Sequence, residues 1–213
     1  MADEIRTAAS AMLGRDGPDG LELLVVERSA SSRFLPSYVA FPGGAVEPDD
    51  PALAARWFGD AAESARAAAV RELVEEVDLA ITDGPTRRAG RRLEAVDVEP
   101  PPAERLVEVA HWIAPEEVPV RFDARYFAVA ALDAEAPIAD GLETADAWWV
   151  SPRRLLAEWE AGERRLYWPT WLTVTEAARC EDVASLLRWR LDTREPTDAE
   201  VEAMPPSVFW QDR

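Results

Sequence analysis

Along the first forty residues, short apolar runs are separated by clusters of turn-forming residues. Positions 7–13 and 21–28 read as two strands joined across Asp16-Gly17-Pro18-Asp19-Gly20, because each run is too short for a helix and is bounded by Gly, Pro and Asp. A brief strand at 39–41 leads into Pro42-Gly43-Gly44, where glycine lets the backbone turn sharply and approach a ligand. The period then changes. Over 64–77, Val70, Leu73 and Val77 recur at three and four positions, which is the spacing of one helix face. Ala67, Ala68 and Ala69 pack its first turns, and Ser64 is placed to cap it.

A polar, Arg-rich and Pro-rich stretch at 83–102, broken by one short strand, reads as a connection. Further strands are expected at 107–113, 125–132 and 147–150, where apolar and aromatic residues concentrate. Ser151-Pro152 opens a helix to about 161 before Gly162, with a capping residue followed by proline at the first helical position. Helices at 171–179 and 183–191 follow, and Thr197 with Glu200 forms a capping box for a short last helix. Strands and helices in this order imply an α/β fold, a mixed sheet covered by helices on both faces, in a single domain over 1–213.

At 48% hydrophobic residues the chain can bury a core. Its net charge of −18 argues against a nucleic-acid surface, which needs a basic face to displace counterions. All 23 cationic residues are arginine, so any cationic side chain that grips phosphate does so with a guanidinium fork. No apolar run approaches a membrane span, the N-terminal residues do not resemble a signal peptide, and Cys180 is the only cysteine. A cytoplasmic protein with no membrane or nucleic-acid partner is the expectation.

The chemistry concentrates in four glutamates. Glu72, Glu75 and Glu76 fall within one arc of the 64–77 helix, beside its apolar face, and Glu63 precedes it. Such an acidic face is often merely solvated. Like charges at that spacing repel, however, and a divalent cation with hard oxygen ligands removes the repulsion; Mg²⁺ in particular is held by a few carboxylates plus substrate phosphate oxygens. Arg71, one turn before Glu75, can pair with Glu75 or Glu63 and reads as an orienting residue.

Gly44, Glu63, Arg71-Glu72-Leu73, Glu75-Glu76 and Leu79 together resemble the signature of the Nudix hydrolases: glycine, five residues, glutamate, seven residues, Arg-Glu, an apolar residue, any residue, Glu-Glu, any residue, glycine and an apolar residue. Two departures stand out. Asp78 occupies the final glycine position, where it can still adopt the left-handed backbone that ends a helix. Residues 45–62 fill a gap that spans five residues in the family, so an insertion at about 48–60 is expected to bulge out as a surface excursion. An interrupted box of this kind is similar to the acyl-CoA and CoA diphosphatase branch. Residues 111–115, 121–127 and 149–152 and Pro169-Thr170 resemble further segments of that branch.

The resemblance implies a Nudix-type α/β/α sandwich, Mg²⁺ or Mn²⁺ as cofactor, and a small nucleoside diphosphate derivative as substrate. It implies Glu63, Glu72, Glu75 and Glu76 as metal ligands, with Glu72, Glu76, Arg71 and Glu143 as the catalytic set. Glu143, just before the 147–150 strand, is the candidate base from a later loop; a solvated loop glutamate is the competing reading. Gly43, Gly44 and Arg28 are substrate-binding candidates. Arg121 and Arg125 share a strand face with Asp123 between them, which suits either a phosphate grip or a structural Arg-Asp-Arg ladder. His111, in an apolar strand, reads as structural, and Trp148 and Trp149 fall on opposite strand faces, so that one can stack on a base while the other packs. Three alternatives remain: a nucleotide sensor that keeps the fold without turnover; a Nudix enzyme acting on ADP-ribose, dinucleotides or nucleotide sugars; and self-association as a homodimer through Trp57-Phe58 in the insertion.

Overall fold

The computed structural model describes residues 5–90, 100, 102–114, 121–191 and 198–208. Strand β1 (Arg6–Gly17) and strand β2 (Gly20–Arg28) run longer than their apolar cores and leave only Pro18 and Asp19 in the turn between them. The five-residue turn expected there is shorter because Asp16 and Gly17 join the antiparallel ladder, opposite Leu21 and Gly20.

The two strands pair only at this turn end, over Gly14–Gly17 and Gly20–Leu23, and then part. Strand β3 (Val39–Ala40) continues the ladder beside β2, and strand β4 (Gly43–Ala45) takes the vacated edge of β1, so residues 41 and 42 cross the fork between them. The Pro42 carbonyl accepts from the Ala11 amide at 2.8 Å, which seals the crossing to the sheet.

Strand β5 (Leu79–Ala80) pairs with strand β6 (Arg87–Arg88), the short strand expected within 83–102. Strand β7 (Val107–Ile113), strand β8 (Phe122–Ala130) and strand β9 (Thr144–Val150) complete the main sheet. β8 lies parallel to β1 over its whole length, β7 antiparallel to β8, and β9 antiparallel to β2 on the edge away from β1. The sheet is therefore mixed.

Both faces of this sheet are buried, and that explains why the strands read as continuous apolar runs rather than as a two-residue alternation. Met12, Leu23, Val25 and Tyr126 face one core with Trp112, Leu155, Trp168, Val174 and Leu186. Ala11, Leu13, Leu24, Val26, Phe127 and Val129 face the other with Val70, Leu73 and Val77. Helix α1 (Asp50–Phe58) and helix α2 (Ser64–Val77) cover the second face; helix α3 (Pro152–Glu160), helix α4 (Trp168–Ala177) and helix α5 (Val183–Arg188) cover the first. This is an α/β/α sandwich. Helix α6 (Asp198–Ala203) follows; Thr197, and with it the capping box expected there, lies outside the described residues. Among the described residues no helix is long and apolar enough to cross a membrane.

Several local expectations change. Helix α5 stops at Arg188 rather than 191, because Trp189 already has extended backbone. Ser64 is the first residue of α2 and does not cap it; a short 3₁₀ turn, Ala61–Glu63, leads in instead, and Asp60 accepts the Ala62 amide at 2.8 Å. Helix α4 begins at Trp168 rather than 171, because Pro169 is accommodated in its first turn, where no intrahelical amide bond is lost. The insertion stays at the surface, as expected, but is built as a helix. Asp49-Asp50-Pro51 starts α1, Gly59 ends it at φ 77°, and Trp57 and Phe58 pack against the core beside α2 instead of forming an exposed patch.

Candidate active site

Helix α2 lies across the fork between β1 and β2 and turns Glu72 and Glu76 toward β4. The Gly43 amide donates to Glu76 Oε2 at 3.0 Å. A Cβ on Gly44 would stand 2.2 Å from Glu72 Oε1, and one on Gly43 would stand 2.3 Å from the Ala9 carbonyl oxygen. Neither glycine has positive φ. They are required by close approach, with β4 wedged between β1 and the two carboxylates, and not by a sharp turn as expected.

Both carboxylates are nearly inaccessible, at 8% for Glu72 and 5% for Glu76. Burial pushes Glu72 up to about 7, against the pull of Arg71, while the charges of Glu75 and Glu143 add to the rise. Burial likewise pushes Glu76 up to about 8; Glu72 and Glu143 raise it further, and the Gly43 amide and Arg28 hold it back. Both carboxyls thus have a raised preference for the protonated form, because burial disfavours the charge and each carboxylate disfavours the other. A hard divalent cation would reverse that preference, and the donor set, carboxylate oxygens only, fits Mg²⁺ or Mn²⁺. Among the described residues, no three acidic, imidazole or thiol side chains stand ready as a metal cage.

Arg71 is the hub. Its Nη1 donates to Glu72 Oε1 and Glu75 Oε2, each at 2.8 Å, its Nη2 to the Ala45 carbonyl at 3.0 Å and Asp50 Oδ2 at 3.2 Å, and its Nε to Asp50 Oδ1 at 3.0 Å. Burial works against the guanidinium charge, but the Asp50 hydrogen bonds and the neighbouring carboxylates outweigh it and hold the group above its ordinary value. Of the two expected partners, Glu75 is engaged and Glu63 is not. Glu63 pairs with Arg66, one turn along α2, and the Arg66 guanidinium also lies over the Phe127 ring and donates to the Leu106 carbonyl.

The far wall is the segment before β9. The Ile138 amide donates to the Val77 carbonyl and the Asp140 amide to the Glu76 carbonyl, each at 2.9 Å, so this segment caps the open carbonyls at the end of α2. Asp140 in turn accepts the amides of Leu142, Glu143 and Thr144. The turn so built carries Glu143 to where its charge acts on both Glu72 and Glu76. Asp78 ends α2 at φ 58°, as expected, with its amide returned to Val74.

Arg28 reaches the same place from the end of β2. Its Nε donates to the Phe34 carbonyl at 3.1 Å, and its charge acts on Glu76. Arg121 and Arg125 engage their own neighbourhood instead: Arg121 donates to the Ala114 carbonyl, Arg125 pairs with Glu108 across to β7, and Asp123 pairs with His111. In none of these contacts is Asp123 paired with either arginine. Trp148 and Trp149 do point to opposite faces, and each ring carries a guanidinium, Arg164 and Arg15, at 4.5 Å.

Asp50 was invisible to pattern reading. Asp49-Asp50-Pro51 signals a helix start, but nothing in it says that the second carboxylate turns inward to become 1% exposed.

The family pattern described as NUDIX domain matches residues 5–172. The chain belongs to the Nudix family. It is similar to the protein provisionally named nudix hydrolase 7 of Caenorhabditis elegans, at 25% identity over 175 residues, which cover 75% of this chain and 57% of that protein. The chain thus spans little more than half the length of that curated relative. Among solved structures it is similar to a NUDIX hydrolase from Alicyclobacillus acidocaldarius, with a TM-score of 0.73 and 26% identity, covering 88% of this chain and 97% of the other. The sandwich is therefore the Nudix fold over nearly all of the bacterial protein's length.

Proposed function

We propose that this Nudix protein is a metal-dependent hydrolase that splits the diphosphate of a nucleoside diphosphate linked to another group, with CoA or an acyl-CoA as the substrate class. Water adds across one P–O–P bridge, giving a nucleotide monophosphate and a second phosphate-bearing product. The observation that carries the reading is the buried Glu72–Glu76 pair beside the Gly43 amide, with Arg28 and Glu143 at its edge.

Glu72, Glu75 and Glu76 would hold Mg²⁺ or Mn²⁺, with Glu63 the outlying member of the set. Such a cation supplies charge neutralisation on the diphosphate and a more acidic bound water. Arg71 orients Glu72 and Glu75. Glu143 stands as the group that accepts the water proton, and Arg28 as a guanidinium for a terminal phosphate. Gly43 and Gly44 let β4 lie directly against the Glu72 and Glu76 carboxylates. Support for the CoA class comes from the interrupted box and the downstream segments that resemble that branch, within a cytoplasmic setting.

The test is a panel of CoA, acyl-CoA, ADP-ribose, reduced dinucleotides and nucleotide sugars with Mg²⁺ or Mn²⁺ in ¹⁸O water, products read by mass spectrometry. CoA cleavage with label in one phosphate product is the expected result. Faster turnover of another diphosphate moves the substrate class, and no metal-dependent product from any of them favours a sensor.

A further inference from the structure

We infer that Asp50, supplied by the inserted helix, is a positioning residue for the carboxylates of α2, acting through Arg71. The inference rests on the metal-dependent reading given above and deepens it. A guanidinium has five N–H donors, and here each of the five has an acceptor: two go to Asp50, one to Ala45, one to Glu72 and one to Glu75. Asp50 holds the fork side on from Nε and Nη2. It is itself anchored by the Glu47 amide, which donates to Oδ2 at 2.7 Å.

Two consequences follow from this wiring. With Nε and one Nη2 donor bound to Asp50, Nη1 has a single orientation left, and that orientation sets where Glu72 and Glu75 stand. Asp50 also supplies a full negative charge to Arg71, so the guanidinium does not cancel the charge that α2 carboxylates must offer to a cation. Glu63, which precedes α2, cannot serve in this way because Arg66 occupies it. The insertion therefore interrupts the glutamate signature and at the same time completes its geometry.

Asp50→Asn keeps the shape and removes the charge. Its Mn²⁺ dissociation constant, read by calorimetry or by the free-ion electron paramagnetic signal, is expected to rise about 10-fold or more, the range for losing a partner that orients a metal ligand. Turnover should fall at low Mn²⁺ and recover in part at high Mn²⁺, with the substrate KM little changed. Leu53→Ala, on the same helix, is the packing control and should leave Mn²⁺ affinity as in the wild type. In an Arg71→Gln background, Asp50→Asn should add no further loss. If Asp50→Asn does not fold, Arg71→Lys, which keeps the charge but not the fork, carries the same expectation. Unchanged Mn²⁺ affinity in folded Asp50→Asn, or in Arg71→Lys where it replaces it, overturns the role of Asp50. So does an equal loss in Leu53→Ala. A wild type that neither binds Mn²⁺ nor cleaves any diphosphate overturns the underlying reading as well.

Discussion

Gly44 and Glu72 are in contact so close that a single methyl at position 44 would overlap the carboxylate, 2.2 Å from Oε1. Glu72 cannot simply swing away, because Arg71 holds the same oxygen at 2.8 Å. Gly44→Ala must therefore shift the carboxylate, the strand or both. Turnover is expected to drop at least ~10-fold, the scale for disturbing a metal ligand's support. A loss of stability of about 1–3 kcal/mol should accompany it, as for overpacking. Steady-state kinetics beside a denaturant titration checks both; full activity would mean that the site of Glu72 is not used.

Glu76→Gln separates structure from chemistry at one position. A glutamine oxygen can still accept the Gly43 amide, while the buried acid is replaced by a neutral amide. Thermal stability at pH 8 should hold or rise, and turnover should fall by about 10²-fold or more if the carboxylate binds metal or moves a proton. Retained turnover in the stable variant would remove Glu76 from the catalytic set.

The raised carboxyls set a pH dependence of stability. Folded Glu72 and Glu76 stand at about 7 and about 8 against an ordinary 4.5, so between these limits the folded state binds more protons than the unfolded one. Folding stability contributed by this pair accordingly falls as pH rises from about 5 to about 8, and the two acids titrate as a unit. A thermal midpoint series on EDTA-treated protein should decline across that window, and Mn²⁺ should flatten it by replacing the proton. A midpoint that climbs steadily to pH 8 without metal would contradict the assignment.

For Glu143 the competing readings give different numbers. As the proton acceptor, its change to Gln should lower kcat by about 10²-fold or more with little effect on the melting temperature, because the Asp140 turn that carries it stays intact. As a solvated loop residue, it should leave kcat within a factor of two or so. Single-turnover kinetics at saturating metal distinguishes the two.

Much of this architecture was legible along the chain. Helix α2 falls on the expected residues, because Val70, Leu73 and Val77 mark a helix face and Asp78 marks its left-handed end. Strand β7 does too, and Ser151 caps α3 by accepting the Arg154 amide. Harder to read were features whose cause lies far away in sequence. Gly43 and Gly44 look like turn glycines by composition, yet their φ angles are ordinary and the constraint is contact with Ala9 and Glu72.

Periodicity and turn residues were enough to predict the helix that carries the carboxylates and a sheet covered by helices, since these follow from local backbone preference and from which faces must be buried, whereas the family rested on the resemblance of Gly44, Glu63, Arg71-Glu72 and Glu75-Glu76 to a known signature. The pairing of Arg71 with Asp50, the diversion of Glu63 to Arg66, and the arrival of Glu143 beside Glu76 emerged from three-dimensional packing. A charge chooses its partner by distance and desolvation, and neither quantity exists until helix α1, the β1–β2 fork and the segment before β9 have been brought together.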